Sequence, residues 1–275
     1  MGCSRRCRTI ASARSRRTSR RPASITGGSV GWKGTGVLAS SSAADPAPAP
    51  RVVALIPGYN EGPRIASVVR GALEHLPVIV VDDGSADDTA DQAREAGATV
   101  IEQRPNGGKG AALRAGFRRA LAEGYDAVLT LDADGQHDPA EIPAFLAAFA
   151  AEPPPDLVIG RRNFRAMPPI RRLSNVVGGR AFSWAVGREI ADNQSGYRLI
   201  GRRILEATID SDERGFEFEV EMITTCIRLG GTIAWVPIRT IYAGSPSHIQ
   251  PVGHLRSFVR IVRKARRDVR LPLDG

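Results

Sequence analysis

Asp132-Ala133-Asp134-Gly135-Gln136 follows directly on the apolar run Ala127–Leu131. Two carboxylates at i and i+2 at the end of a strand can converge on one hard cation, with Gln136 adding an oxygen or orienting a water. Mg²⁺ or Mn²⁺ shared with a diphosphate needs few protein ligands, so this triplet is enough to hold one. Alone, a D-x-D triplet is equally a polar turn before a helix cap. The alternate oxygens at 132, 134, 136 and 138 would also suit a calcium loop. His137 at the glycine position and Pro143 at the terminal glutamate position exclude it.

Two further polar segments close apolar runs. Val80-Val81-Asp82-Asp83-Gly84-Ser85 offers paired acids that could accept from the N–H of a base or from a ribose hydroxyl, although an Asp-Gly turn is the simpler account of that segment alone. Asn106-Gly107-Gly108-Lys109-Gly110 is glycine-rich at a helix start, which suits close approach by a phosphate. It is no Walker A loop, because Lys109 precedes Gly110 and position 103 is Gln. No G-x-G-x-x-G follows the first strand, which argues against a dinucleotide-dependent oxidoreductase.

The elements that carry these groups are readable from periodicity. Val52–Ile56 is a continuous apolar run, the pattern of a strand buried on both faces, and Pro57-Gly58-Tyr59-Asn60-Glu61 breaks it. Ile65, Val68, Val69, Ala72 and Leu73 then fall at i, i+3, i+4, i+7 and i+8, an amphipathic helix. Val78–Val81 predicts a second buried strand, 87–96 a short helix and Ala98–Ile101 a third strand. Leu113, Phe117, Ala120 and Leu121 mark a helix, and Ala127–Leu131 the fourth strand. Asp138 caps the next helix, with Pro139 in its first turn and Glu141 at its third position. Leu157–Ile159 reads as a fifth strand. A helix over 170–186, a loop Asp192–Arg198, a helix near 217–229, a strand Thr232–Val236 and a basic helix from His254 to Arg270 complete the reading. Such alternation predicts a doubly wound α/β sheet, whose ligands bind outside the carboxyl ends of the strands. The polar motifs lie at those ends.

Taken in order, Pro57–Glu61, Val80–Ser85, Asn106–Gly110 and Asp132–Gln136 resemble the family 2 glycosyltransferases, and within them the dolichol- or polyprenyl-phosphate mannose and glucose synthases. The likeness spans 51–262 and extends to Gly160-Arg161-Arg162, to Asp192-Asn-Gln-Ser-Gly-Tyr-Arg198 and to Phe216-Glu217-Phe218-Glu219. It implies a single-domain GT-A fold, with a Rossmann-like, mixed but mostly parallel sheet flanked by helices. It also implies inverting transfer of a hexose from a GDP- or UDP-linked donor, with a polyprenyl phosphate as the first candidate acceptor and a soluble or glycan acceptor as the alternative. By the same resemblance Pro57, Tyr59, Glu61, Val81 and Asp83 frame the nucleoside with Asp82 beside them, and Lys109 joins the donor site. Asp132, Asp134 and Gln136 hold Mg²⁺ or Mn²⁺ on the diphosphate. Arg161 or Arg162 contacts the diphosphate or the acceptor phosphate, as Arg198 could. Asp192 matches the acid proposed as base, with a loop cap as its equal alternative.

Two departures bear on the acceptor. Many lipid-linked members carry transmembrane helices after the catalytic domain, and no run of 18 apolar residues occurs here. Ser247-His248-Ile249-Gln250-Pro251 stands where relatives commonly place a polar, acceptor-side loop.

The net charge of +9 is local. Residues 1–50 hold eight arginines and Lys33 against Asp45, in a Ser-, Ala-, Gly- and Pro-rich tract that reads as a disordered tail. Residues 51–275 carry 29 basic and 28 acidic side chains, and seven of the basic ones lie within 255–270. The domain reading is therefore a tail over 1–50, a catalytic domain over 51–253 and a basic helix and tail over 254–275. In that helix Leu255, Phe258, Val259, Ile261 and Val262 keep helical spacing among the basic residues. Such a stripe either packs on the catalytic domain or lies in an anionic headgroup layer as a peripheral membrane contact. Nucleic acid is not an expected partner, since Trp32 is the only aromatic in the arginine-rich tract and strand-end acids repel phosphate without a metal. A nucleotidyltransferase would open with a glycine-rich basic loop where Pro57–Glu61 stands. Three cysteines (Cys3, Cys7 and Cys226) form no disulfide framework, and with no apolar stretch after the N-terminal arginines the expectation is a cytoplasmic protein, at the inner face of the membrane if its acceptor is a lipid.

Overall fold

The computed structural model describes residues 49–163, 169–239, 241 and 251–269. The N-terminal tract read as a tail and the segment with His248 lie outside the described residues.

Among the described residues seven strands form one sheet in the order β3-β2-β1-β4-β6-β5-β7. They are β1 (Val52–Gly58), β2 (Val78–Asp82), β3 (Thr99–Glu102), β4 (Ala127–Thr130), β5 (Leu157–Arg162), β6 (Arg198–Gly201) and β7 (Ile233–Ile238). Strands β1 to β4 pair in parallel, as do β5 and β7. Only β6 runs against its neighbours, β4 and β5. The helices are α1 (Gly62–Leu73), α2 (Thr89–Glu95), α3 (Lys109–Ala122), α4 (Ile142–Phe149, after a 3₁₀ turn over Pro139–Glu141), α5 (Pro169–Val186), α6 (Arg202–Thr208), α7 (Glu217–Arg228) and α8 (Pro251–Asp268).

The continuous apolar runs have a direct physical cause. Along β1, Val52, Ala54 and Ile56 face a core completed by Ile65, Val68, Val69, Ile142 and Phe145. Val53 and Leu55 face the opposite core, with Leu113, Phe117, Ile204, Phe218 and Ile223. Side chains alternate across a strand, so a sheet covered on both faces must be apolar at every position. Cys226 is a buried free thiol in the second core.

The sequence from β1 to β3 grows the sheet one way, and β4 returns to the other side of β1. That reversal opens a crevice between the loops after β1 and β4, the place where doubly wound sheets bind ligands. Because β6 is antiparallel, its leading loop reaches the same edge as the ends of β4 and β5, with Arg198 paired to Thr130 and Ile159. One antiparallel strand thus adds residues 192–197 to a rim otherwise built by strand ends.

Helix α8 packs against α5 and α7. Ala265 is in the core, with Ile261 and Val269 against it. Arg260 and Lys264 pair with Glu217 and Glu213 at 2.7 and 2.5 Å. Packing on the domain thus accounts for Ile261 of the stripe. Val259 and Arg263 are exposed, and Arg266 covers the ring of exposed Trp184 on α5 at 3.9 Å.

Candidate active site

The sheet lets go of the chain just before the acidic turn. The Leu131 amide donates to the Leu55 carbonyl at 3.1 Å, so Asp132 is the first residue beyond the ladder. Its amide donates to Nδ1 of buried His137 at 3.1 Å. The imidazole packs on Tyr197, with centroids 5.0 Å apart, and Tyr197 stacks on Phe145 and donates its hydroxyl to the Asp138 carbonyl at 3.1 Å. Burial holds His137 below its usual range against the pull of the Asp132 charge, so it is a neutral acceptor. Asp134 is half-buried and accepts from the Gln136 amide at 2.9 Å and from Gln136 Nε2 at 2.7 Å. Asp134 and Gln136 are thus bonded to each other on the turn that Asp132 opens.

Lys109, the first residue of α3, reaches across to this turn. Its Nζ lies 2.5 Å from Asp132 Oδ1 and 2.9 Å from Oε1 of buried Glu219 on α7. Burial opposes its charge, but the two carboxylates outweigh that and raise its pKa. The Asp132 carboxyl is held well below its ordinary value: burial pushes it up, and the charge and hydrogen bond of Lys109 more than reverse this. Gly196 shows how tightly the site is drawn in, since a Cβ there would stand 2.8 Å from Asp132 Oδ2 and 3.0 Å from Lys109 Nζ.

The paired acids after β2 do structural work. Asp83 accepts from the amides of Gly107 and Gly108 at 2.7 and 2.8 Å and from Gln103 Nε2 at 3.1 Å, which fixes the loop that launches α3. Asp82 accepts from Ser85 through Oδ1, while its buried Oδ2 has no hydrogen-bond partner. The Pro57–Glu61 turn is stitched to the same loop, with the Asn60 amide on Ser85 Oγ (2.9 Å), the Glu61 amide on Thr89 Oγ1 (2.8 Å) and Asn60 in the left-handed region at φ 55°. Tyr59 stands exposed on this rim.

On the other side of the crevice Asp192 is buried and grips Arg162 through Nε at 2.7 Å and Nη2 at 2.9 Å, and its Oδ1 also accepts from the Gln194 amide at 3.1 Å. Arg161, next along β5, is exposed.

The glycosyl transferase family 2 model matches residues 53–208, more than half of the chain. The chain belongs to the family 2 glycosyltransferases. It is 35% identical over 207 residues to an undecaprenyl-phosphate mannosyltransferase of Micrococcus luteus, covering 68% of this chain and 82% of that one. To a polyprenol monophosphomannose synthase of Mycolicibacterium smegmatis it is 33% identical, covering 70% and 80%. In fold it is similar to the glucosyl-3-phosphoglycerate synthase of Mycobacterium tuberculosis, crystallised with Mn²⁺, UDP-glucose and phosphoglyceric acid, at a TM-score of 0.62 and 22% identity over 82% of each chain. The sequence thus encodes a family 2 glycosyltransferase with the expected mixed, mostly parallel GT-A sheet.

Within this glycosyltransferase the structure pairs Lys109 with Asp132 and Gln136 with Asp134 on one turn, and seats Arg162 on Asp192. It gives other places to two residues expected to touch the donor. Arg198 is fully buried, donating to the carbonyls of Ser195 (2.7 Å), Glu219 and Asn193 (3.2 Å). Those bonds satisfy its guanidinium inside the protein, and it ties the 192–197 loop to α7. Val81 is equally buried in the core, where its side chain supports the strand end. Sequence reasoning gave no role to His137 or Glu219. A lone histidine beside a D-x-D carries no distinctive spacing, and Glu219 joins the site only through folding.

Proposed function

We propose that this glycosyltransferase moves a hexose from a GDP- or UDP-linked donor to a polyprenyl phosphate with inversion at the anomeric carbon. The observation that carries the donor half is the turn Asp132–Gln136 at the switch point of the sheet, with Lys109 on Asp132 and Gln136 on Asp134. Among the described residues no three His, Cys, Asp or Glu side chains form a metal cage. Two carboxylates and an amide suit an ion that completes its shell with a diphosphate. Asp132 and Asp134 would hold Mg²⁺ or Mn²⁺, with Gln136 beside them. When bound, the ion neutralises the leaving nucleoside diphosphate.

The chain's own residues supply the rest. Lys109 offers a positive charge to the diphosphate, and the exposed Arg161 and the Asp192-braced Arg162 offer theirs to the diphosphate or the acceptor phosphate. Tyr59, Pro57 and Glu61 form the rim that would frame the nucleoside. Asp82, with its unpartnered Oδ2, is the acid best placed to accept from it. Asp83 shapes the loop under the donor through the contacts already described.

Asp192 bears on the acceptor. Both its oxygens are engaged, which fits positioning of Arg162 better than service as a general base. An alcohol acceptor needs a base, whereas a phosphate monoester, with a second pKa of about 6, is already mostly dianionic near neutrality. The names of the two bacterial relatives support the same acceptor class. No described helix is long and apolar enough to cross a membrane. A lipid acceptor would be met peripherally, through the face where α5 and α8 expose Val177, Trp184, Val259 and Arg263.

A thermal-shift panel of nucleoside diphosphates with and without Mn²⁺ tests the donor assignment. GDP or UDP should raise the melting temperature only when the ion is present, and equal stabilisation in EDTA would refute metal-dependent donor binding.

A further inference from the structure

Two carboxylates share one lysine at the centre of this site. Glu219 has only 5% of its side chain exposed, and among the described residues Lys109 is its sole ion-pair partner. The neighbouring Arg198 bonds the carbonyl oxygen of Glu219, not its carboxylate. Asp132, on the other side of the lysine, is one of the two acids assigned to the metal, and Nζ lies against its Oδ1. Gly196 lies against the same carboxylate, where a Cβ would stand 2.8 Å from Oδ2 and 2.9 Å from Oδ1.

We propose that Lys109 is a built-in counter-ion that competes with the divalent metal for Asp132 and is retained by Glu219 when the metal binds. The inference rests on the assignment of the metal to Asp132 and Asp134. A lysine suits the task because its ammonium is a compact charge on a flexible stem with three donors, able to give up one partner while keeping another. Asp132 supplies the negative charge for the ion, Glu219 the parking place for the displaced lysine. Without a donor, the like charges of ion and ammonium oppose each other, and the protein alone binds the metal weakly. A diphosphate accepts from the freed ammonium and shares the ion, so metal and donor bind cooperatively.

The experiment is a titration of the full chain with Mn²⁺ alone, without nucleotide, read by the electron paramagnetic resonance of free Mn²⁺. Lys109→Met should tighten binding by roughly tenfold, the scale expected for removing one like charge a few ångströms from the ion in a partly screened site. Glu219→Gln leaves Asp132 as the lysine's only carboxylate and should weaken binding. A purely structural role for the pair would loosen the site in both variants, so opposite signs are the signature. The Lys109→Met/Glu219→Gln double variant removes both charges and covers the case in which Lys109→Met fails to fold around an orphaned acid. It too should bind Mn²⁺ more tightly than the parent. Affinity no tighter than the parent's in the lysine variants, or undiminished in Glu219→Gln, overturns the proposal. Mn²⁺ binding unchanged by Asp132→Asn and Asp134→Asn would overturn the metal assignment itself, and the inference with it.

Discussion

The two carboxylates of the acidic turn are held in different ways, and the difference predicts how each responds to change. Asp132 is tied to Lys109 and backed by His137, whereas among the described residues Asp134 is bonded only within its own turn, to Gln136. Asp134→Ala should therefore leave the melting temperature nearly unchanged while transfer falls by on the order of a hundredfold to a thousandfold, the usual cost of losing a group that stabilises developing charge. Steady-state rates alongside a melting curve check this, and full activity in metal-containing buffer would rule out the role. His137 makes a separate prediction about pH. The folded protein keeps this buried imidazole neutral below its ordinary value of 6.5, while the unfolded chain takes up the proton near 6.5. Between the two pKa values the unfolded state binds more protons, so stability falls as the pH drops below about 6.5. His137→Asn, whose side-chain oxygen can still accept the Asp132 amide, should flatten that acid limb. Melting temperatures from pH 7 to pH 5 test it, and parallel curves for variant and parent would contradict it.

Helix α3 is the element through which the fold commits its chemistry, because its first residue is Lys109. Gly108 caps it at φ 86°, and a Cβ there would lie 2.6 Å from the Arg214 carbonyl oxygen. Gly108→Ala combines a left-handed backbone with a steric clash, and should cost roughly 1–3 kcal/mol of stability. It should also lower donor affinity by shifting Lys109. Denaturant unfolding together with the KM for the donor measures both, and parent-like values would show that the cap is not required. Periodicity revealed the elements that bury whole faces: β1, β2, β4 and the stripe of α1 were all legible because a doubly covered sheet demands unbroken apolar runs. It did not reveal β6, whose four residues begin with a buried arginine, nor α6, seven residues long. The acidic turn and the glycine-rich loop were legible as motifs. That Asp83 serves the loop, and that Glu219 closes on Lys109, depends on contacts between distant segments that no local spacing encodes.

At the scale of the molecule, the site must meet a donor from water and, on the present account, an acceptor held in lipid. The catalytic segment from residue 51 onward is nearly neutral, and its basic surplus lies toward the end of the chain. On α8, Arg260 and Lys264 are held by Glu217 and Glu213, whereas Arg263 is exposed, Arg266 lies over exposed Trp184 and Arg267 reaches its neighbour Asp268 at 3.3 Å, so these three are the described basic side chains best placed to meet a headgroup layer. Replacing these three with Gln should release the protein from anionic vesicles at low salt, since each basic residue near such a surface is worth about 1 kcal/mol. Co-sedimentation reads the outcome, and an intact protein that stays in the supernatant at low salt would favour a soluble acceptor. The most direct test of the central claim is transfer itself. The purified protein is incubated with radiolabelled GDP-mannose or UDP-glucose, a polyprenyl phosphate and Mn²⁺, and label is counted in the organic phase. The account predicts label in the lipid with one nucleoside diphosphate released per sugar transferred, and loss of both in EDTA. Donor consumption that never labels the lipid, or transfer that persists undiminished without the ion, would contradict it.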